Sequence, residues 1–295
     1  MKAPKKELLK FYRPDLYAIS NLESQRLLCQ HYSNYKEPFE SWLKVLEGIP
    51  DTTQEPERFA AALNAWGLTE LPNTEELYAY FSECMNYQPS LEHLKNSVRI
   101  SCFSSQRYNP LIWSNYAAGL YGFCIVFDEK VLMENELGGV LFNVKYSSSA
   151  PTVDSFEYAI AHDQYIFHQL AIEEEITRLS PLELGYHTKI ISDYKAAEDK
   201  AFKKKQEFLH KVFAVKPSEL KYECERRLVV SVELEDDSPC FFKYPTNSVK
   251  EIILGEDMNE SYRKRLCGII KEHYPKVTIC TAHRAKNGYG IEVSP

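Results

Sequence analysis

The sequence lacks most of the short signatures that give an enzyme class away. H-E-x-x-H, the P-loop, G-x-G-x-x-G and G-x-S-x-G are all absent, which removes support for a zinc metalloprotease, a P-loop nucleotidase, a Rossmann dinucleotide enzyme and a serine hydrolase of the elbow type. No C-x-x-C pair occurs among the cysteines at 29, 84, 102, 124, 224, 240, 267 and 280, so neither a structural zinc site nor a dithiol motif is indicated. Several of them (Cys102, Cys124, Cys280) stand inside apolar runs, where cysteine acts as a small buried hydrophobe. The histidines are scattered without metal-ligand spacing, and no metal is predicted. No apolar run approaches the roughly 18 residues of a membrane span, and Met1 to Lys10 has no secretory apolar core. A cytoplasmic protein without a membrane partner is the expectation. The formal net charge of −7 opposes a broad basic surface for long nucleic acid, although a small anionic ligand needs only a few cations.

What is present is an ordinary globular balance, 44% hydrophobic and 26% charged, in a chain long enough for a sizeable core. The 13% aromatic content includes 20 Tyr. Such residues line clefts for bases and sugars, and they are equally at home in strands.

Apolar residues at helical spacing (Phe59, Leu63, Trp66, then Leu77, Phe81, Cys84) predict short helices between Pro56 and Leu94. Longer patterns predict helices over Phe156–Leu179 and Ile190–Phe213, with the lysine run 203–205 on a solvated face. A Tyr- and Pro-rich segment, Phe11 to Ile19, reads as an edge strand and turn, and Leu22 to Gln30 as a helix. Strands are predicted at Val98–Phe103, Gly122–Phe127, Leu141–Tyr146, Glu225–Val232, Cys240–Tyr244, Val249–Leu254, Val277–Ala282 and Gly290–Val293, with a helix over Ser261–His273. The expected fold is one α+β domain over 1–295, a mixed β-sheet core with helices inserted near 55–95 and 154–213.

Three segments carry more polar groups than packing needs. The first joins Phe11-Tyr12-Arg13 to Tyr32-Ser33-Asn34 and Glu37-Pro38-Phe39-Glu40. The second runs Cys102-Phe103-Ser104, then Asn109-Pro110-Leu111-Ile112-Trp113-Ser114-Asn115-Tyr116-Ala117, then Gly122-Phe123-Cys124-Ile125-Val126-Phe127-Asp128. The third is Tyr222-Glu223-Cys224-Glu225-Arg226-Arg227-Leu228. In this order they resemble the bacterial family of domain of unknown function 2971. The loop at Asn34-Tyr35-Lys36-Glu37-Pro38-Phe39 keeps only half of that family's usual Asn-Asp before Pro.

On a strand, Glu223 and Glu225 project to one side and Cys224 and Arg226 to the other. Adjacent carboxylates suit acid–base work or the support of a cationic centre, or they pair with Arg13, Arg226 or Arg227 as a structural network. Trp113 and Tyr116 share a helix face as core or as a ring platform, and Asn109-Pro110 reads as a helix cap.

A late Glu-x-Glu, an early Tyr-Arg and a polar middle strand also resemble ADP-ribosyltransferases, which cleave the nicotinamide–ribose bond of NAD. That resemblance implies an ADP-ribosyltransferase-like fold, with NAD as substrate and a nucleic-acid or protein acceptor, as in a toxin or phage-defence effector. It makes Glu225 catalytic and Glu223 its acceptor-orienting partner, with Tyr12, Arg13, Ser104, Asn109, Trp113 and Tyr116 around the dinucleotide. Two alternatives stand beside it: a non-catalytic module binding a nucleotide or a nucleic-acid end, and a metal-independent ribonuclease using Arg26 and His31.

Overall fold

A computed structural model describes residues 7–68, 73–87, 91–134, 139–178, 184–233 and 236–295. In chain order the strands are β1 (Glu7–Tyr12), β2 (Arg26–Cys29), β3 (Lys44–Leu46), β4 (Val98–Ser104), β5 (Phe123–Asp128), β6 (Gly139–Asn143) and β7 (Lys145–Ser147). They continue with β8 (Thr152–Asp154), β9 (Val215–Pro217), β10 (Glu225–Ser231), β11 (Cys240–Lys243), β12 (Val249–Gly255), β13 (Thr278–Arg284) and β14 (Ile291–Ser294). The helices are α1 (Leu16–Glu23), α2 (Pro56–Trp66), α3 (Thr74–Tyr87), α4 (Leu91–Asn96), α5 (Pro110–Tyr116), α6 (Glu129–Met133), α7 (Ser155–Thr177), α8 (Leu184–Phe213) and α9 (Glu260–His273). The class is α+β, as expected from the sequence.

The chain divides into two compact units. The first takes residues 1–40, 95–148 and 216–295, and the second takes 41–94 and 149–215.

The first unit is built on an eight-stranded mixed sheet in the order β14-β13-β12-β5-β1-β4-β10-β6. Its strands pair antiparallel except β12 with β13, which are parallel and joined by the crossover helix α9. Side chains alternate between the faces of a strand, and both faces are buried here. Leu8, Ile125, Phe127, Leu228 and Ile252 pack on one side with Ile19 and Leu22 of α1 and Leu266 and Ile270 of α9. Leu9, Cys124, Val126 and Ile253 pack on the other with Trp113 of α5.

Two expectations are corrected at the N-terminus. Of Phe11–Ile19 only Phe11 and Tyr12 are strand, closing β1, and Leu16–Ile19 open α1; β1 itself is central, lying between β5 and β4, with Leu8 and Leu9 each buried on its own face. The predicted helix over Leu22–Gln30 is instead the end of α1 followed by β2. Asp15 starts α1 early by accepting a hydrogen bond from the Ala18 N–H at 2.7 Å, filling one of the open donors of a helix start. Gln25, at φ 55°, then turns the chain, and Leu27 and Cys29 point inward with a period of two. The single strand predicted at Leu141–Tyr146 breaks at Val144, whose N–H donates to the Glu225 carbonyl at 3.0 Å.

The second unit is helical around the short parallel pair β3–β8. Its core joins Phe59, Ala62, Leu77, Phe81, Phe156 and Ile160, and α7 stacks on α8 through Tyr158 and Phe208, with centroids 4.2 Å apart. The α7 helix ends at Thr177, the predicted terminus Leu179 lying outside the described residues. Only part of the lysine run is free on a solvated face. Lys204 pairs with Glu157 at 3.1 Å and Lys205 lies 4.1 Å from the Tyr165 ring centre. Among the described residues no helix is long and apolar enough to cross a membrane.

Candidate functional site

The two sequence glutamates reach one point by a route that strand periodicity did not foresee. Glu223 ends a 3₁₀ turn over Ser218–Glu223. Cys224, in the left-handed region at φ 41°, redirects the chain so that β10 begins at Glu225. Both carboxylates still meet the same cation, because β9 brings Lys216 beneath them. Lys216 Nζ lies 2.6 Å from Glu223 Oε2, 2.9 Å from Glu225 Oε2 and 2.8 Å from Glu37 Oε2.

Arg227 shares Glu225's side of β10, as residues two apart on a strand do. Its Nε donates to Glu225 Oε1 at 2.8 Å and its Nη2 to Glu40 Oε2 at 2.8 Å. Tyr116 donates its hydroxyl hydrogen to Glu223 Oε1. Glu40, Arg227, Glu225, Lys216, Glu37 and Glu223 thus form one chain of charge, four carboxylates against two cations. Glu37 Oε1, by contrast, is buried without a hydrogen-bond partner among the described residues.

The network lines a cleft of about 600 Å³, within the range of small-molecule sites. Its walls come from all three sequence segments: Tyr12 and Arg13 of the first with Tyr35, Glu37 and Glu40, then Cys102, Phe103, Ser104 and Tyr116, then Glu223, Glu225 and Arg227. Every one of these residues lies in the first unit.

The surroundings push the two central carboxylates apart. Burial opposes the charge of Glu225, but Arg227 and then Lys216 prevail and bring its pKa down to about 2. For Glu223, burial wins over Lys216 and Tyr116, and its pKa is raised. Lys216 is held charged: burial works against it, but Glu225 and Glu223 outweigh that penalty. Burial, reinforced by Glu225, pushes the Cys102 thiol up to about 12. Tyr146, which accepts the Glu225 N–H at 2.8 Å, is also pushed up to about 12, chiefly by burial.

The remaining expected site residues divide into lining and scaffold. Tyr12 lines the cleft and stacks on Phe123 at 5.1 Å. Arg13 is exposed at the rim, its Nη2 donating to the Asn115 carbonyl at 3.1 Å. Ser104 is buried and donates to the Glu223 carbonyl at 2.6 Å, bracing the turn. Asn109 caps α5 by accepting from the Leu111 N–H at 2.9 Å, and donates to the Tyr222 carbonyl. Trp113 is 1% exposed, donates Nε1–H to the Arg107 carbonyl and stands edge-on to Phe11. It is core, whereas Tyr116, three residues on, is 44% exposed and faces the cleft.

Arg26 lies over the Phe241 ring, and the His31 imidazole is hydrogen-bonded to Ser33 and Asn96, so neither lines this cleft. Among the described residues no group of three or more His, Cys, Asp or Glu is placed to hold a metal ion.

Sequence reasoning did not single out Lys10, Tyr35 or Lys216. Glu37 and Glu40 appeared only as part of a loop motif, their carboxylates unassigned.

Fold and site together define an α+β protein with a carboxylate-lined cleft whose acidic groups are paired with a lysine and an arginine. A family model described as "Protein of unknown function (DUF2971)" matches residues 112–228. The match runs from α5 into β10, across Tyr116, Lys216, Glu223, Glu225 and Arg227, and supports the resemblance to that family. No curated protein and no solved structure matches the chain.

Proposed function

We propose that the cleft binds NAD and transfers its ADP-ribose to an acceptor, with the glutamate network carrying the chemistry. The observation behind this reading is the meeting of Glu37, Glu223 and Glu225 on Lys216 inside a cleft that also holds Tyr12, Arg13 and Tyr116. Breaking the bond between nicotinamide and ribose leaves positive charge on the sugar, and fixed carboxylates lower the energy of that oxocarbenium-like state. Glu225, anionic across the working pH range, is the stabilising charge. A ribose hydroxyl shares its Oε2 with Lys216, which has two other carboxylates to hold it. Glu223, with its raised pKa, accepts the proton that the acceptor's hydroxyl or amine loses as its bond to the sugar forms and neutral nicotinamide leaves. Tyr116 replaces Trp113 as the aromatic residue available to the ligand.

The test is nicotinamide release by the full chain and by Glu225→Gln, each alone and with DNA, RNA or cell lysate. Release by wild type should fall at least about 100-fold in Glu225→Gln, the scale of losing one preorganised electrostatic partner. Equal activity in the two proteins would overturn the assignment. A specific feature favours a second reading, a nucleotide-binding module without turnover: both oxygens of Glu225 are already satisfied by Arg227 and Lys216. No release in any mixture, with retained nucleotide binding, would select it.

A further inference from the structure

Lys10 stands where a sheet normally carries an apolar residue. It lies midway along β1, opposite Ile125 of β5, with β4 on the other side. Its Nζ donates to Ser101 Oγ at 2.9 Å and to the Cys102 carbonyl at 3.0 Å, and lies 5.3 Å from the Phe103 ring centre. An ammonium has three N–H donors, so one is uncommitted among the described residues, and Lys10 lines the cleft.

The contrast with Lys216 is in the counter-ions. Lys216 has three carboxylates within 2.9 Å. No carboxylate among the described residues forms an ion pair with Lys10. The nearby thiols of Cys29 and Cys102 do not replace one, since both pKa values are raised and both thiols stay neutral. Removing an ammonium from water is costly unless a negative group compensates it. Burial in fact lowers the Lys10 pKa, against weaker opposing influences of which Glu225 is one. A lysine that lines the cleft with no carboxylate partner among the described residues is suited to an anion that arrives from solution.

We propose that Lys10 is the anion subsite of the cleft and takes the pyrophosphate of a nucleotide ligand, with Arg13 receiving the same group at the rim. In this assignment the carboxylates serve the sugar that becomes positive, and Lys10 and Arg13 serve the phosphates of the same ligand. This deepens the NAD reading and rests on it only for the nucleotide part of the ligand.

The experiment is calorimetric titration of the full chain with sodium pyrophosphate, ADP-ribose and adenosine. Pyrophosphate and ADP-ribose should bind and compete with each other, and adenosine should not displace pyrophosphate. Lys10→Met should weaken both phosphate ligands at least tenfold, and Lys10→Arg should recover part of the loss. Because Lys10→Met is a core change, a second measurement uses the wild type alone: acylation of Lys10 by an amine reagent, followed by mass spectrometry, should slow when pyrophosphate is added. Failure of both phosphate ligands to bind, unchanged affinity in a folded Lys10→Met, or unprotected Lys10 would each overturn the subsite. Pyrophosphate bound through Lys10 with no nicotinamide release leaves the subsite standing and removes the transferase. Undiminished nicotinamide release by Lys10→Met does the reverse.

Discussion

At the scale of single residues, Lys216 is the point on which the cleft depends. Without it, Glu37, Glu223 and Glu225 would face one another with no shared cation. Breaking a buried ion pair from one side leaves uncompensated charge, at a cost of about 3–5 kcal/mol. Lys216→Met is therefore expected to lose that much stability, read from urea denaturation at neutral pH. A loss below about 1 kcal/mol would mean that the carboxylates are compensated elsewhere.

The same network fixes an acid response. The folded pKa of Glu225 is about 2 against an ordinary 4.5, so its contribution to stability is complete above about pH 4.5 and is lost as pH falls toward 2. Glu223 works in the opposite sense: its raised pKa adds relative stability below its ordinary value and loses it as pH climbs through the raised one. Glu225→Gln should flatten the fall in stability between pH 4.5 and 2, measured by urea midpoints at stepped pH. An unchanged slope would show that Glu225 is not the charged group.

The Glu-x-Glu pair was visible in the sequence because it stands in a distinctive motif. Lys216 was not, because a single lysine after a helix carries no local sign that three glutamates will gather round it.

At the scale of elements, close backbone approach explains two glycines. A Cβ on Gly122 would lie 2.2 Å from the Tyr12 carbonyl oxygen and 2.4 Å from that of Ala117, and one on Gly255 would lie 2.0 Å from the Leu120 carbonyl oxygen. These are backbone atoms of the segments that fix β1 and the exit from α5, so they have little room to yield. Gly122→Ala should destabilise by more than about 3 kcal/mol, an overpacking cost at the upper end of the usual range. A thermal midpoint within a few degrees of wild type would contradict that contact.

The capping residue Asp154 performs two tasks. It accepts from the Phe156 and Glu157 N–H groups at the start of α7 and pairs with Arg58 Nε at 2.5 Å. Asp154→Ala should cost about 2 kcal/mol, at the upper end for a lost cap because the ion pair is lost with it. Chemical denaturation would check it. The long helices were legible from their periodicity, with α8 starting six residues earlier than expected. The segment 22–30 was not, because apolar positions at Leu22, Leu27 and Leu28 fit a helix until the turn at Gln25 shows them to belong to two elements.

For the molecule as a whole, a ligand that binds only the folded chain raises its melting temperature by mass action. ADP-ribose at about 100 times its dissociation constant should add about 2.7 kcal/mol, seen as a concentration-dependent shift in thermal unfolding. The shift should vanish in Lys10→Met at the same concentration. Its absence in wild type would mean that the cleft does not take this nucleotide.

By itself the sequence determined the α+β class, most strand positions and the pair of motif glutamates, since these rest on local periodicity and short spacing. It also held the residues of all three polar segments, but not their meeting place. Tertiary structure alone decided that β1 is central, that Trp113 is core while Tyr116 faces the cleft, and that among the described residues Lys10 lacks the carboxylate partners given to Lys216. The reason is physical: burial and ion pairing are properties of groups brought together from distant parts of the chain. Glu40 and Arg227 touch across 187 positions, and no local pattern records an encounter of that kind.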